Sequence, residues 1–442
     1  MAIKIALINP PFDPENEYEG PERNIYPPLS LLALATFLRF REVDANIKIL
    51  DGQIISLEGI IKAISEMSPQ IVGISPFLST YGNTLKIARW SKKIGAKVVL
   101  GGHHASSLAK EILLLRGPFS KDYCVDCIVQ NDGEEAFYKL VMGEPFERIS
   151  NLIFLSSPKV IQMNNIETLD FDRLPITDRD LIDVESYFKN QRALNIFSKI
   201  GCDWRGKSGG CIFCSRMHNE MRTKSPINFW RETILLREKY KVNAVFDGRD
   251  DFLDDDKWLQ NVHKLSFDYF DKPKLTIFAR PNAISASTVK MLKEINVSYI
   301  ILGLESGDQT MLNTMRKGIS PEINKKAVEI LSKNKISIFG SLVLGAPQEN
   351  IESLRQTLEF AKKTKQLFQK TNTACLMWAS LLEPRPGSIA FDWILERLGE
   401  KYRGKDLWNR NELIRDWINN FCHVGYNEIR AIAEEINSLN KS

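Results

Sequence analysis

Short apolar strands alternating with helical segments, in two successive series, constrain this chain more than any other feature. In the first series Lys4–Asn9, Ile47–Leu50, Gln70–Ser75, Lys97–Gly102 and Cys124–Val129 are apolar stretches of strand length. Pro28–Arg39, Ile60–Met67 and Tyr81–Ile94 between them read as helical, and Asp132-Gly-Glu-Glu135 opens another helix. Such βαβ alternation specifies an α/β fold with a doubly wound, Rossmann-like parallel sheet. Ligands of such sheets bind outside the carboxyl ends of the strands. Here those ends are Asn9, Ser75, Gly101-Gly102 and residues 131–134.

The second series runs through Ala193–Phe197, Asn243–Phe246, Leu275–Phe278, Tyr299–Leu302, Ile336–Leu344 and Ala374–Trp378. Ile227–Lys239, Ser287–Ile295 and Ile351–Lys365 are helical stretches between these strands. Where parallel strands curl into a barrel, functional residues belong at their C-terminal ends. Between the series, Asn151–Leu155 is a short strand and Leu169–Pro175 a polar, proline-ended crossing. The expected plan is a first domain over 1–145, a linker over 146–190, a second domain over 191–385 and a helical cap over 386–442. Trp393, Trp408, Trp417 and Phe421 are expected as core residues of that cap.

Composition excludes several classes. With 43% hydrophobic and 26% charged residues over 442 positions, the chain has ample core for a soluble globular protein. A net charge of +4 gives no argument for nucleic acid or an anionic membrane as partner. No run reaches the roughly 18 apolar residues of a membrane span, and the apolar N-terminus is too short for a signal peptide. Seven cysteines without framework spacing speak against a disulfide scaffold, so a reducing cytoplasm is expected. Cys124-Val-Asp-Cys127 lies in an apparent strand, where its thiols face opposite sides, and is expected to be structural.

The chemistry-bearing stretch is residues 201–216. Cys202, Cys211 and Cys214 stand there as C-x8-C-x2-C among four glycines. Three thiolates can hold three irons of a [4Fe–4S] cluster and leave the fourth iron open. Structural zinc is the competing occupant; it wants four ligands, and His218 could supply the last. Arg205, Lys207 and Arg216 would offset the thiolate charge.

Further motifs follow in order. Leu7-Ile-Asn-Pro-Pro11, Tyr26-Pro-Pro-Leu29, Leu50-Asp-Gly52, Val72-Gly-Ile-Ser75, Gly101-Gly-His-His-Ala-Ser106 and Asp132-Gly-Glu-Glu135 mark the first series. Phe246-Asp-Gly-Arg-Asp-Asp-Phe252, Ala279-Arg280, Gly303-Leu-Glu-Ser-Gly307, Arg316-Lys317-Gly318 and Gly340-Ser-Leu-Val-Leu-Gly-Ala-Pro347 mark the second. In this order they resemble the radical S-adenosylmethionine enzymes that carry a cobalamin-binding domain, class B methyltransferases among them. The resemblance implies a cobalamin-binding Rossmann-like domain, a partial (βα)6 barrel and three cofactors: a [4Fe–4S] cluster, S-adenosylmethionine and cobalamin. It implies Cys202, Cys211 and Cys214 as cluster ligands. Phe213, Arg280, Gly303, Glu305, Ser306 and Gly345 would contact S-adenosylmethionine. Asn9, Pro10, Ser75, Thr80, Gly101, Gly102, His103, Gly133 and Glu134 would contact cobalamin.

The implied reaction is cleavage of S-adenosylmethionine to a 5′-deoxyadenosyl radical, followed by methylation of an unactivated carbon or a phosphorus centre from methylcobalamin. A non-methylating radical reaction, such as ring contraction or cyclisation, is the nearest alternative, and a non-catalytic cobalamin or cluster sensor is the alternative from another class. The implied partners are a small-molecule or peptide substrate and an electron donor such as flavodoxin or ferredoxin. Two departures stand out. The chain has no D-x-H-x-x-G, which implies cobalamin without a histidine on its lower face. The family's first cysteine gap is three residues, whereas Asp203–Gly210 makes it eight here.

Overall fold

The computed structural model describes residues 2–14, 25–115, 123–157, 160–215, 221–402 and 409–441. A seven-stranded sheet takes β1 (Ile3–Asn9), β2 (Ala45–Asp51), β3 (Ile71–Ile74), β4 (Lys97–Gly101), β5 (Cys127–Val129), β6 (Leu152–Ser157) and β7 (Val160–Met163) in the order 2-1-3-4-5-6-7. The pairs from β2 across to β5 are parallel, and β6 and β7 are added antiparallel. Ile5, Ala6, Leu7 and Ile8 are all fully buried. A strand covered on both faces has no polar alternation, which is why β1 reads as a continuous apolar run. After β1 the chain adds β2 on one side and β3 on the other, so the strand order reverses between β1 and β3.

Polar side chains set the helix starts. Ser56 accepts from the Gly59 N–H to open the helix Leu57–Met67. Asp13 accepts from the Gly82 and Asn83 N–H groups and so fixes the start of Tyr81–Lys93 from the loop after β1. Each such cap contributes about 1 kcal/mol.

Two expectations change in this unit. The stretch from Cys124 is not one strand: β5 begins only at Cys127, and both thiols are buried, with burial pushing the Cys127 thiol up. The segment 152–163, expected within the linker, joins the sheet edge: β6 matches the short strand expected over Asn151–Leu155, and β7 was not expected.

A second sheet holds six parallel strands in chain order: β8 (Ala193–Ile196), β11 (Ala244–Asp247), β12 (Lys274–Ala279), β13 (Val297–Glu305), β14 (Ser337–Leu344) and β15 (Cys375–Leu381). A two-stranded ribbon, β9 (Lys199–Ile200) with β10 (Arg222–Thr223), follows β8. The edges β8 and β15 do not pair, so the six units form an open, partial barrel. Its helices Pro226–Tyr240, Asp256–Leu265, Ala286–Glu294, Pro321–Lys333 and Ile351–Lys370 are capped by Ser225, Asp255, Ser285, Ser320 and Asn350. β13 runs three residues past its expected end, through Gly303-Leu-Glu305.

The chain divides into two compact units, and the C-terminal helices are shared between them. Residues 385–411, with the helix Ile389–Tyr402, belong to the unit of the first sheet, and residues from 412 onward to the unit of the second. Trp417 is fully buried, as expected, and stacks on Phe421 at 4.3 Å. Trp393 is half-buried, and Trp408 lies outside the described residues. Among the described residues no helix is long and apolar enough to cross a membrane.

Candidate functional site

Parallel strands bring their C-terminal ends to one edge, and the second sheet assembles its chemistry there. Register pairs Asp247 with Ile196, Ala279 with Leu302, and Glu305 with Leu342. The β13–β14 register shifts between Gly303 and Glu305, and Glu305 takes a left-handed φ of 60°. A bulge of this kind re-aims a side chain and is costly for a residue with a Cβ. Here it turns the Glu305 carboxylate onto Lys317, with Oε1 2.7 Å from Nζ and both side chains buried. Gly303 is required beside them, since a Cβ there would lie 2.7 Å from Glu305 Oε1 and 2.8 Å from Lys317 Nζ. Burial opposes the Lys317 charge, yet the Glu305 carboxylate and the Cys211 thiol hold its pKa above the usual lysine value.

The cysteine segment wraps onto this pair. Ile212 is fully buried and its N–H donates to the Met315 carbonyl, which pins the segment between Cys211 and Cys214. Phe213 packs among Met311, Leu312, Met315, Ile319 and Ala346. Arg280, just past β12, donates to the Lys317 carbonyl, and its Nη1 lies 4.0 Å from Cys211 Sγ. Burial raises the Cys211 pKa, and Lys317 and Arg280 work against that rise. Burial likewise raises Cys202, against backbone N–H groups of Arg205 and Trp204. Buried Lys317 and half-buried Arg280 beside Cys211 suit an anionic, sulfur-held group. Among the described residues no three His, Cys, Asp or Glu side chains are gathered as one metal ion would need. His218 and Arg216 lie outside the described residues.

Under the ribbon, a buried charge network fixes the turn after β11. Asp247 accepts from the Ser198 N–H and hydroxyl, Lys199 pairs with Asp254, and Arg249 reaches Asp254 at 2.8 Å. Burial raises the pKa of Asp247 and of Asp251. A cavity of about 280 Å³ opens beside Arg280, with Asp203, Trp204, Asp251 and Asp254 on its wall.

Gly345 ends β14 with φ +91°, where its N–H donates to Glu349 at 3.1 Å and its carbonyl accepts from Trp417 at 2.7 Å. Burial lifts the Glu349 carboxyl to about 7. Ser306 is buried and its hydroxyl shares a hydrogen bond with Thr357.

In the unit of the first sheet, register sets Ile8, Ile74 and Leu100 side by side, and Gly101 beside Val129. Asn9, Ser75, Gly101 and residues 130–134 therefore share the carboxyl edge. Asn9 donates to Asp51 at 2.7 Å, and Asp51 also accepts from the Tyr187 hydroxyl at 2.7 Å. Gly52 lets the strand-end loops meet, because a Cβ there would lie 2.1 Å from Pro11 N. Gly102 turns at φ +89°, a Cβ position 3.5 Å from Ser75 Oγ, and leaves the end of β4 bare. His103 opens the helix His103–Ser107; His104 is buried, its ring 4.8 Å from that of Tyr81. Gly133 caps Glu134–Val141, which places Glu134 in the first turn. The Thr80 hydroxyl is buried and bonds the Phe77 backbone. Phe12 and Phe77, 49% and 59% exposed, stand on the loops after β1 and β3. The fold thus sets a bare glycine rim and two open phenyl rings where strand order reverses, a surface suited to a flat, partly apolar ligand.

Of the second-unit residues expected from sequence, the fold sets Arg280, Gly303, Glu305 and Cys211 around Lys317, while Ser306 and, in the first unit, Thr80 spend their hydroxyls internally. Sequence reasoning missed Lys317 as the partner of Glu305, Trp204 beside Arg280, and the phenyl rings of Phe12 and Phe77. Only the glycine after Lys317 could have flagged the first.

Comparison with known proteins agrees with this division. Residues 200–361 match the model of the Radical SAM superfamily, and residues 23–141 that of the B12 binding domain. An uncharacterized methyltransferase of Pyrococcus horikoshii is 27% identical over 378 residues, covering 82% of this chain and 78% of its own. The anaerobic magnesium-protoporphyrin IX monomethyl ester cyclase of Cereibacter sphaeroides is 24% identical over 324 residues, covering 70% of this chain; the chain spans 51% of that enzyme. The structure of the radical S-adenosylmethionine methyltransferase TsrM of Kitasatospora setae, with cobalamin and a [4Fe-4S] cluster bound, superposes with a TM-score of 0.71 at 16% identity. That likeness covers 90% of this chain and 78% of TsrM, and it is one of fold.

Proposed function

This chain is a radical S-adenosylmethionine enzyme carrying a B12-binding domain, and from that premise we propose that it transfers a methyl group to an unactivated carbon or a phosphorus centre. When bound, the cluster, S-adenosylmethionine and cobalamin supply radical formation and the methyl group. The chain's own residues hold, orient and shield them. Cys202, Cys211 and Cys214 would ligate the cluster, with Lys317 and Arg280 offsetting the thiolate charge. Gly303, Glu305, Ser306, Gly345 and Phe213, at the ends of β13 and β14 and beside the cysteine segment, would receive S-adenosylmethionine. The Glu305–Lys317 pair keeps that region polar while buried, so its charges act without bulk water to weaken them.

In the first unit, Asn9, Pro10, Ser75, Thr80, Gly101, Gly102, His103, Gly133 and Glu134 would receive cobalamin, with Phe12 and Phe77 against the macrocycle. The burial of His104 against Tyr81 fits a cobalamin held without a ligand from that histidine. An electron donor such as flavodoxin or ferredoxin would deliver reducing equivalents. The observation that carries the proposal is the cysteine segment, with buried Lys317 and half-buried Arg280 beside Cys211, at the strand ends of an open six-unit barrel in a chain that also has a B12-binding domain. The name of the C. sphaeroides relative favours one second reading, radical cyclisation without methyl transfer.

The two readings part in one assay. Anaerobically reconstituted protein, reduced with S-adenosylmethionine present, should form both 5′-deoxyadenosine and S-adenosylhomocysteine. The first should vanish in Cys211→Ala. 5′-Deoxyadenosine alone would favour the non-methylating reading, and neither product would refute both.

A further inference from the structure

The eight residues between Cys202 and Cys211 are not a plain loop. Cys202 caps a short helix, Asp203–Ser208, and Gly209 and Gly210, at φ +79° and +82°, turn the chain back. One side chain of that helix is anchored twice. Trp204 donates its indole N–H to the Arg316 carbonyl at 2.8 Å. Its ring lies against the bare Cα of Gly318, where a Cβ would come within 2.1 Å. The Arg280 guanidinium sits 4.9 Å from the ring centroid, within cation–π range. The same guanidinium donates to the Lys317 carbonyl and brings Nη1 to 4.0 Å from Cys211 Sγ.

We propose that Trp204 is a positioning residue, through which the long cysteine gap holds Arg280 against Cys211 and so sets the reduction potential of the cluster. The proposal rests on the reading of Cys202, Cys211 and Cys214 as cluster ligands. Arg280 has a competing place to go: the cavity beside it carries Asp251, while Asp203 and Asp254 on the same wall already pair with Lys207 and with Lys199 and Arg249. The Asp251 carboxylate attracts the guanidinium, and the indole and the Lys317 carbonyl keep it at the thiol instead. Charge and hydrogen bonding at the cluster sulfurs are among the levers that set cluster potential. A cation kept close favours the more negative, reduced cluster, so loss of Trp204 makes reduction harder.

The test compares Trp204→Leu, Trp204→Phe, Arg280→Gln and the double variant Trp204→Leu/Arg280→Gln, each reconstituted with iron and sulfide and titrated reductively under EPR. At the potential that half-reduces the parent protein, Trp204→Leu should lower the reduced-to-oxidised ratio about tenfold, about 59 mV for a one-electron couple. Trp204→Phe keeps a ring beneath Arg280 and should shift less. The double variant should match Arg280→Gln alone, because Trp204 acts through Arg280. A parent-like potential in Trp204→Leu, or shifts that add in the double variant, overturns the proposal; should Trp204→Leu fail to fold, a Trp204→Phe potential equal to that of the parent does the same.

Hydrogen exchange of residues 203–208 in cluster-free protein reads the clamp by itself. It should speed up in both Trp204→Leu and Arg280→Gln, and unchanged exchange counts against the clamp. Parent protein that takes up zinc instead of a cluster, while these exchange changes persist, refutes the reading of the cysteines and leaves Trp204 a structural anchor only.

Discussion

Replacing Lys317 by Met isolates the buried pair at the heart of the second unit. Met keeps the length and volume of the stem and removes the charge. The backbone of residue 317 stays held, since its N–H donates to the Leu312 carbonyl and its own carbonyl accepts from Arg280. Glu305 is then left buried, 5% exposed, on a bulge at φ 60° that restricts its escape. At 2.7 Å the gross attraction is about 6 kcal/mol for an effective dielectric near 20. Desolvation cancels part of it, and breaking a buried pair by removing one partner costs about 3–5 kcal/mol. Taking about 4 kcal/mol and an m-value of about 3 kcal/mol/M, the urea midpoint should fall by about 1.3 M. Trp204, Trp230, Trp258, Trp378 and Trp417 all belong to this unit, so tryptophan fluorescence follows mainly its unfolding. The double variant Lys317→Met/Glu305→Gln, with no orphaned charge, should recover about half of the loss. A single-variant loss below about 1 kcal/mol, or a double variant as unstable as the two singles summed, would refute the reasoning.

Other expectations follow from the same contacts. Glu349, lifted by burial from 4.5 to about 7, keeps its proton in the folded unit after the unfolded chain has lost it. Its contribution to stability is therefore full below about pH 4.5, falls by about 3 kcal/mol as pH rises to about 7, and is flat above that. Glu349→Gln should remove that slope from urea melts and raise stability at pH 8; an unchanged slope counts against it. Gly52→Ala forces a Cβ to within 2.1 Å of Pro11 N and 2.5 Å of Pro10 C, backbone atoms that cannot swing aside. It should cost several kcal/mol and reduce cobalamin uptake, read from the visible spectrum, while leaving iron content unchanged. Tyr187→Phe removes the hydroxyl that donates to buried Asp51 and should cost about 1.5–3 kcal/mol in the first unit.

Strand and helix alternation was legible because strands buried on both faces cannot be polar and five barrel helices begin on Ser, Asp or Asn caps. The edge strand β7 was not, since Val160–Met163 is short, has no buried residue and leaves no apolar run of its own. The extension of β13 through Glu305 was hidden for a different reason. A bulge and a left-handed glutamate are set by tertiary contacts with Lys317, which no periodicity encodes. The cysteine spacing was legible, and the helix between Cys202 and Cys211 was not. Glycines at 206, 209 and 210 argue for loop by propensity, and the docking of Trp204 on Gly318 overrides them.

The central claim is that one chain carries two independent cofactor sites, a cluster on Cys202, Cys211 and Cys214 and cobalamin on the carboxyl edge of the first sheet. Metal, sulfide and corrinoid analysis after anaerobic reconstitution tests it most directly. Parent protein should hold about four iron and four sulfide per chain together with one cobalamin. Cys202→Ala/Cys211→Ala/Cys214→Ala should lose the iron and sulfide and keep the cobalamin. Zinc in place of iron in the parent, or cobalamin lost together with the cluster, would contradict the account.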